Sequence, residues 1–319
     1  MTTKVSAVNQ PSPFQRWLRI VGRDLKMNKS IYLIAIPMLV YYILFHYVPM
    51  YGVTIAFKDY KMVKGIMGSP WCGLKHFEKF ITGRFFFRLV RNTFLLSFYS
   101  FIFGFPAPII LALLLNEIRT SWFKRTVQTI TYMPHFISMV VICGMLKMFC
   151  STGGILSDLL AFITGGQASS NLLIVPNYFR TIYVASGIWS GIGWGSIIYL
   201  SAIAGIDQAQ YESAIIDGAG RFAQAMYITI PGISSTIIIR LILRLGEIMN
   251  VGFEKVFLLY NEATYEVSDI ISTYVYREGL ENFNYSYSTA VGLFNTVINL
   301  IFLLGANWVS ARYSETSLF

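Results

Sequence analysis

Apolar residues gather in six long runs along the chain, separated by polar and charged stretches. A helix crossing a hydrocarbon core needs about 20 mostly apolar residues, and the runs fall at about 31–57, 93–115, 127–149, 182–206, 233–250 and 286–309. The second and fourth carry no charge, and neither does the first, although Pro37 and Pro49 fall inside it. Membrane helices tolerate such prolines where neighbouring groups satisfy the freed carbonyls. The third holds one charge, Lys147, near enough to its end for the ammonium to reach the head groups. The fifth is the costly run, because Arg240, Arg244 and Glu247 lie within it. The last is uncharged but holds Asn295, Asn299 and Asn307. The pattern predicts an all-α polytopic membrane protein with six transmembrane helices and no internal repeat.

Two flanking segments are amphipathic. In the polar, basic tail over 1–30, Phe14, Trp17, Leu18, Val21 and Leu25 recur at helical spacing while Arg16, Arg19, Arg23 and Lys26 lie on other faces. This is the pattern of a helix resting on the membrane surface. The run that follows is too long for a signal-peptide core and lacks a convincing cleavage site, so it is expected to remain as the first span. Ahead of the second span, Phe77, Phe80, Ile81, Phe86, Phe87 and Val90 interleave with Lys79, Arg84, Arg88 and Arg91. A solvated interfacial face explains both segments without a ligand. The expected organisation is therefore a tail over 1–30 and one membrane domain over 31–319.

Composition supports the membrane reading. With 55% hydrophobic and 13% charged residues in 319, the chain cannot clothe a soluble particle of its size, since globular proteins carry about a quarter charged residues. A net charge of +9 raises the question of nucleic acid, but the basic residues flank apolar runs, where they anchor to anionic lipid. Cys72, Cys143 and Cys150 are odd in number and too scattered for a disulfide framework or a paired-cysteine metal site. His46, His76 and His135 lie in unrelated segments, so neither a metal nor a cofactor is expected. Six spans leave eleven Lys or Arg residues in the loops on each side, and loop charge alone does not choose an orientation. The six in the tail favour a cytoplasmic start.

The loop over 207–231 is unlike a simple connector. It reads Tyr211-Glu212-Ser213-Ala214-Ile215-Ile216-Asp217-Gly218-Ala219-Gly220 and continues through Phe222 to Ile228-Thr229-Ile230-Pro231. The residue types predict a short helix from Gln208 to Ile216, a glycine turn, and a second helix that Pro231 ends before the next span. Small residues at Ala214, Gly218 and Ala219 let another backbone approach, and Glu212 and Asp217 can accept hydrogen bonds in a cleft. A surface loop without a partner is the plainer alternative.

The spacing Glu-Ser-Ala, three residues, Gly, nine residues, Ile-x-Ile-Pro resembles the EAA loop of binding-protein-dependent ABC importer permeases. Ser213 and Ile230 depart from that family's Ala and Leu without disturbing the spacing. Further stretches are similar to the LplB-like polysaccharide and oligosaccharide branch. They include His46-Tyr47-Val48-Pro49-Met50-Tyr51-Gly52, Arg91-Asn92-Thr93, Phe105-Pro106-Ala107-Pro108, Tyr132-Met133-Pro134-His135-Phe136 and Gly252-Phe253-Glu254-Lys255. The resemblance implies a type I importer permease in the bacterial cytoplasmic membrane with both termini cytoplasmic. It implies that Glu212, Ser213, Ala214, Asp217, Gly218, Ala219, Phe222 and Pro231 form the loop that seats in an ATPase. It also implies as partners a second permease subunit, two ATPase subunits and an extracellular solute-binding protein, with a carbohydrate as cargo.

Nothing of the form Gly-x4-Gly-Lys-Ser/Thr occurs, so the chain has no phosphate cradle of its own, and no catalytic motif replaces it. Within the spans, Gly187, Gly191 and Gly195 form two overlapping Gly-x-x-x-Gly steps that favour close helix packing. Trp189 and Trp194 lie inside the span, where indoles can pack or stack on a sugar ring. Asn295 and Asn299, one turn apart, can meet hydroxyls or bond to a neighbouring helix. Arg240, Arg244 and Glu247 are placed on one helical face lining the bundle or a wet cavity, with Arg244 pairing Glu247 or the set receiving an acidic carbohydrate. The rival readings are an ion-gradient carrier using Glu247 and a permease for a non-sugar solute.

Overall fold

The computed structural model describes residues 21, 23–165 and 170–313. The tail positions Phe14, Arg16, Trp17, Leu18 and Arg19 lie outside the described residues. Among the described residues all regular structure is helical, apart from an isolated antiparallel bridge between Lys58 and Trp71. The chain forms two compact units, Met1–Thr54 and Ile55–Phe319. The first holds most of α1 (Lys29–Phe57). A π-helical turn at Ile43–Tyr47 precedes Pro49, so the residue lacking an N–H follows a stretch where the ladder is already widened.

The second unit begins with α2 (Lys75–Ile81), α3 (Phe86–Glu117), α4 (Ser121–Tyr132), α5 (Met139–Cys150) and α6 (Ile155–Thr164). After α7 (Pro176–Ala204) come α8 (Gln208–Ile216), α9 (Arg221–Gly232) and α10 (Ser234–Leu245). The unit closes with α11 (Phe253–Leu259), α12 (Ile271–Tyr276) and α13 (Tyr285–Tyr313). Among the described residues α1, α3, α7 and α13 are long and apolar enough to cross a membrane. The number is six when α4 with α5, and α9 with α10, each count as one bent span.

The bends are where the runs of the sequence mislead. The apolar run over 127–149 is two helical pieces at 101°, not one straight span. Pro134 supplies no N–H to continue the ladder, and the Ser138 hydroxyl accepts the Val141 N–H to start α5 afresh. At the fifth run, Pro231 does not end a separate helix. A π-helical turn over Ala225–Thr229 accommodates it, α9 runs on to Gly232, and a bend of 64° follows at Ile233 before α10. The amphipathic stretch ahead of the second span divides as well, its first half becoming α2 and its second half the opening of α3.

Lipid tails are as apolar as leucine, so buried apolar side chains here gain packing rather than escape from water, and close approach and polar ties must fix the arrangement. The tightest approach is at Gly193 of α7, where a Cβ would stand 2.1 Å from the Thr131 carbonyl oxygen and 2.8 Å from the Tyr132 ring. The polar tie gathers at Asp269, which is fully buried. Its carboxylate accepts from Arg88 at 3.1 Å, Arg277 at 2.7 Å and the Thr273 hydroxyl at 2.9 Å. Burial opposes the Arg277 charge, but Asp269 holds the guanidinium above its ordinary range. Beside it Arg91 pairs with Glu266 at 2.9 Å, and the Asn92 amide donates to the Glu266 and Asp269 carbonyls. These bonds fasten the start of α3 to the segment before α12.

Candidate functional site

The loop after α7 folds as a knob of two helices. The Asp207 carboxylate caps α8 by accepting the Ala209 N–H at 3.0 Å. The other end closes in a Schellman turn, with Gly218 N–H donating to the Ile215 carbonyl at 3.0 Å and Ala219 N–H to the Ala214 carbonyl at 2.8 Å. Gly218 has φ +78°, and a Cβ there would meet nothing within 4 Å. Glycine is therefore required by the left-handed backbone and not by crowding, as the turn's small residues alone would imply. Tyr211 and Thr229 hydroxyls, 2.9 Å apart, join α8 to α9, and Arg221 lies 3.6 Å from Glu117 at the end of α3.

Glu212, Ser213, Asp217 and Gly218 are exposed on this knob, while Ala214 and Ala219 are half-buried. Phe222 is 80% exposed, and Ile216 at 86% and Tyr227 at 82% extend the same apolar display. Sequence reasoning picked out Phe222 and missed Ile216 and Tyr227. An Ile pair in an otherwise polar loop was the available signal. Pro231 is exposed within the bent span rather than on the turn.

The second feature is a cavity of about 590 Å³ between α3, α7 and α10. Gly187, Gly191 and Gly195 form one wall, and Arg240, Arg244 and Glu247 stand on another. Gly191 thus borders open space, whereas Gly195, whose Cβ would stand 3.0 Å from Pro108 of α3, and Gly193, outside the two steps, make tight helix contacts. Arg240 and Arg244 share a face of α10, which ends at Leu245. Glu247 lies in the following turn, and its carboxylate is 3.8 Å from Arg244. Tyr199 of α7 lines the same cavity as Arg240. Lys255 of α11, which sequence reasoning did not select, also reaches the cavity. Its ammonium donates to the Tyr183 carbonyl at 2.7 Å and lies 4.6 Å from the centre of that ring, and burial pushes its pKa down to about 8. Its position in Gly252-Phe253-Glu254-Lys255 was the signal.

The remaining candidates lie elsewhere. Trp189 faces an apolar groove of about 530 Å³ beside α5 and α6. Trp194 stacks on His135 with ring centres 4.6 Å apart. Asn299 accepts the Met249 N–H at 2.8 Å and Asn295 donates to the Met249 carbonyl at 3.3 Å, so both amides hold the turn after α10. None of the four lines the basic cavity.

Residues 80–315 match the binding-protein-dependent transport system inner membrane component family. Protein LplB of Bacillus subtilis (strain 168) is 46% identical over 296 residues, covering 92% of each chain. The polygalacturonan/rhamnogalacturonan transport system permease protein YteP of the same organism is 43% identical over 293 residues, covering 92% of this chain and 91% of its own. A chain from the crystal structure of a bacterial ABC transporter that imports the acidic polysaccharide alginate superposes with a TM-score of 0.84 at 41% identity, covering 92% of this chain and 99% of that one. A bundle with bent spans and this likeness is a multi-pass membrane permease. The chain belongs to the binding-protein-dependent transport system inner membrane component family.

Proposed function

We propose that this chain is one transmembrane subunit of an ATP-driven ABC importer for acidic oligo- or polysaccharides. In this reading the basic cavity lies on the solute's path and the knob over 207–231 is the ATPase-coupling element. The observation that carries it is the continuity between the two. α9 leaves the knob directly, bends at Ile233 and continues as α10, which carries Arg240 and Arg244 into the cavity. A push on Ile216 or Phe222 is passed along one stretch of backbone to the basic wall. Glu212, Ser213, Ala214, Asp217, Gly218 and Ala219 shape the surface that a partner ATPase would grip. Hydrolysis belongs to that partner.

Charge supports the choice of cargo. Arg240, Arg244 and Lys255 face the cavity against the single carboxylate of Glu247, which offsets Arg244 only in part at 3.8 Å. The surplus suits a carboxylate-bearing sugar, in keeping with the alginate importer and the polygalacturonan permease among the similar proteins. The arginines are partly solvated, so they attract without trapping, as a pathway requires.

The assembled importer would pair this chain with a second permease subunit, two ATPase subunits and an extracellular solute-binding protein. With the knob in the cytoplasm, an even number of spans puts both termini there. The test is uptake of uronate-containing and neutral oligosaccharides by Arg240→Gln and Arg244→Gln. A hydrogen bond to a charged group contributes about 1.5–3 kcal/mol, and partial solvation brings the expected selective loss of the acidic cargo to about tenfold. Equal loss of both cargoes, with less protein in the membrane, would return the arginines to a structural role.

A further inference from the structure

The segment ahead of α2 brings three unlike side chains together. Asp59 N–H donates to the Pro70 carbonyl at 3.0 Å and Cys72 N–H to the Phe57 carbonyl at 2.8 Å, flanking the Lys58–Trp71 bridge. This clip sets Asp59 beside Cys72, and α2 begins three residues later with His76 in its first turn. The platform is stiffened by Phe57, which stacks on Trp71 at 5.6 Å and lies 5.4 Å from Phe77. It is also fastened to α13, because Ser286 accepts the Tyr60 N–H at 2.9 Å and donates to the Lys58 carbonyl at 2.6 Å. One oxygen, one sulfur and one imidazole nitrogen therefore lie within 4.8 Å of one another on a preformed frame.

We propose that Asp59, Cys72 and His76 form a binding site for a borderline-soft divalent cation of the zinc type. Zinc–sulfur bonds of about 2.3 Å and zinc–nitrogen or zinc–oxygen bonds of about 2.0–2.2 Å place tetrahedral ligand atoms roughly 3.3–3.7 Å apart. Closing the present group to that size takes movements on the order of 1 Å or less. A second observation points the same way. His76 Nε2 is shut off from solvent without a hydrogen-bond partner, although Asp59 Oδ1 is only 3.2 Å away. The two atoms are close but not aligned for a hydrogen bond, and a cation between them would give the imidazole nitrogen the partner it lacks.

Lys75 now occupies the carboxylate from the outer side, its ammonium 2.9 and 3.2 Å from the two Asp59 oxygens, which holds the Asp59 pKa below its ordinary value. Its side chain is 62% exposed, so it can swing away as the divalent ion enters. On binding, the Cys72 thiol releases its proton to solvent and the thiolate becomes the ligand. Three protein ligands leave a fourth position for water. The bound ion would lock the segment that Ser286 fastens to the last span.

The experiment uses the intact transporter in detergent, with Co²⁺ as a spectroscopic stand-in and Zn²⁺ as competitor. Wild type should show a near-ultraviolet thiolate-to-cobalt charge-transfer band that Zn²⁺ abolishes. Cys72→Ser should lack the band, and His76→Gln should weaken binding at least about tenfold, in line with the loss of one of three ligands. Lys75→Gln, which removes only the competing cation, should tighten binding several-fold. A band that persists in Cys72→Ser would place the metal on Cys143 or Cys150 and overturn the assignment. So would the absence of any band in both wild type and Lys75→Gln at saturating Co²⁺. The Lys75→Gln arm does not depend on Cys72→Ser folding.

Discussion

Replacing Gly193 with alanine should destabilise the protein, whereas Gly191→Ala on the same helix should not. A Cβ at Gly193 would stand 2.1 Å from the Thr131 carbonyl oxygen, and at Gly191 nothing lies within 4 Å. To regain ordinary contact α7 and the end of α4 must part by on the order of 1 Å. The obstructing atom is backbone and cannot rotate away. Overpacking of this kind costs about 1–3 kcal/mol, and an immovable neighbour puts Gly193→Ala near the upper end. Alanine returns up to about 1 kcal/mol through its better helix propensity. The net loss is then about 2 kcal/mol for Gly193→Ala, against a small gain for Gly191→Ala. Thermal unfolding of the purified protein in detergent, followed by intrinsic fluorescence, should show the midpoint falling by several degrees in the first variant only. If Gly193→Ala melted with wild type while Gly191→Ala melted early, Gly191 and not Gly193 would be the packing position and the reasoning would fail.

Asp269→Asn keeps the shape of the buried carboxylate but leaves Arg88 and Arg277 without their counter-charge. Removing one member of a buried pair costs about 3–5 kcal/mol, and the partial exposure of the arginines, 24% and 19%, lowers the expectation to about 2–3 kcal/mol by the same melt. Arg88→Gln in that background should recover part of it, and no recovery would show that the two arginines do not depend on the charge. At the knob, Gly218→Ala must hold φ near +78° at a cost of about 1–2 kcal/mol, and Gly218→Asn at less. ATPase recovered with the permease and uptake should both fall in the order Gly, Asn, Ala, and wild-type values for Gly218→Ala would remove the turn from coupling.

The helical class and the places of the apolar runs could be read from the chain because each run is long and its breaks are charged. The 101° elbow could not, because Pro134 is tolerated in membrane helices and only the Ser138 cap decides that a new helix starts there. The turn at Gly218 was legible in kind, since a glycine after a short helix signals a left-handed cap. Its openness was not, because spacing carries no information about neighbouring atoms. At the cavity, the cost of charge in an apolar run drew attention to Arg240, Arg244 and Glu247. Lys255 escaped notice because its burial is created by Tyr183, which is 72 positions away. Asn295 and Asn299 share a face as their spacing requires. What they touch, the Met249 backbone, depends on a turn that no periodicity announces.

The clasp at Asp269 also has a history in time. Arg88 and Asp269 are 181 positions apart. At about 5–20 residues per second, the arginine is synthesised roughly 10–35 s before its carboxylate exists. During that interval Arg88 has no Asp269 carboxylate to pair with. The insertion machinery therefore meets a more basic segment than the one the finished protein presents. A count of loop charges describes the nascent chain, while the paired charges of the folded state belong to a later stage of its life.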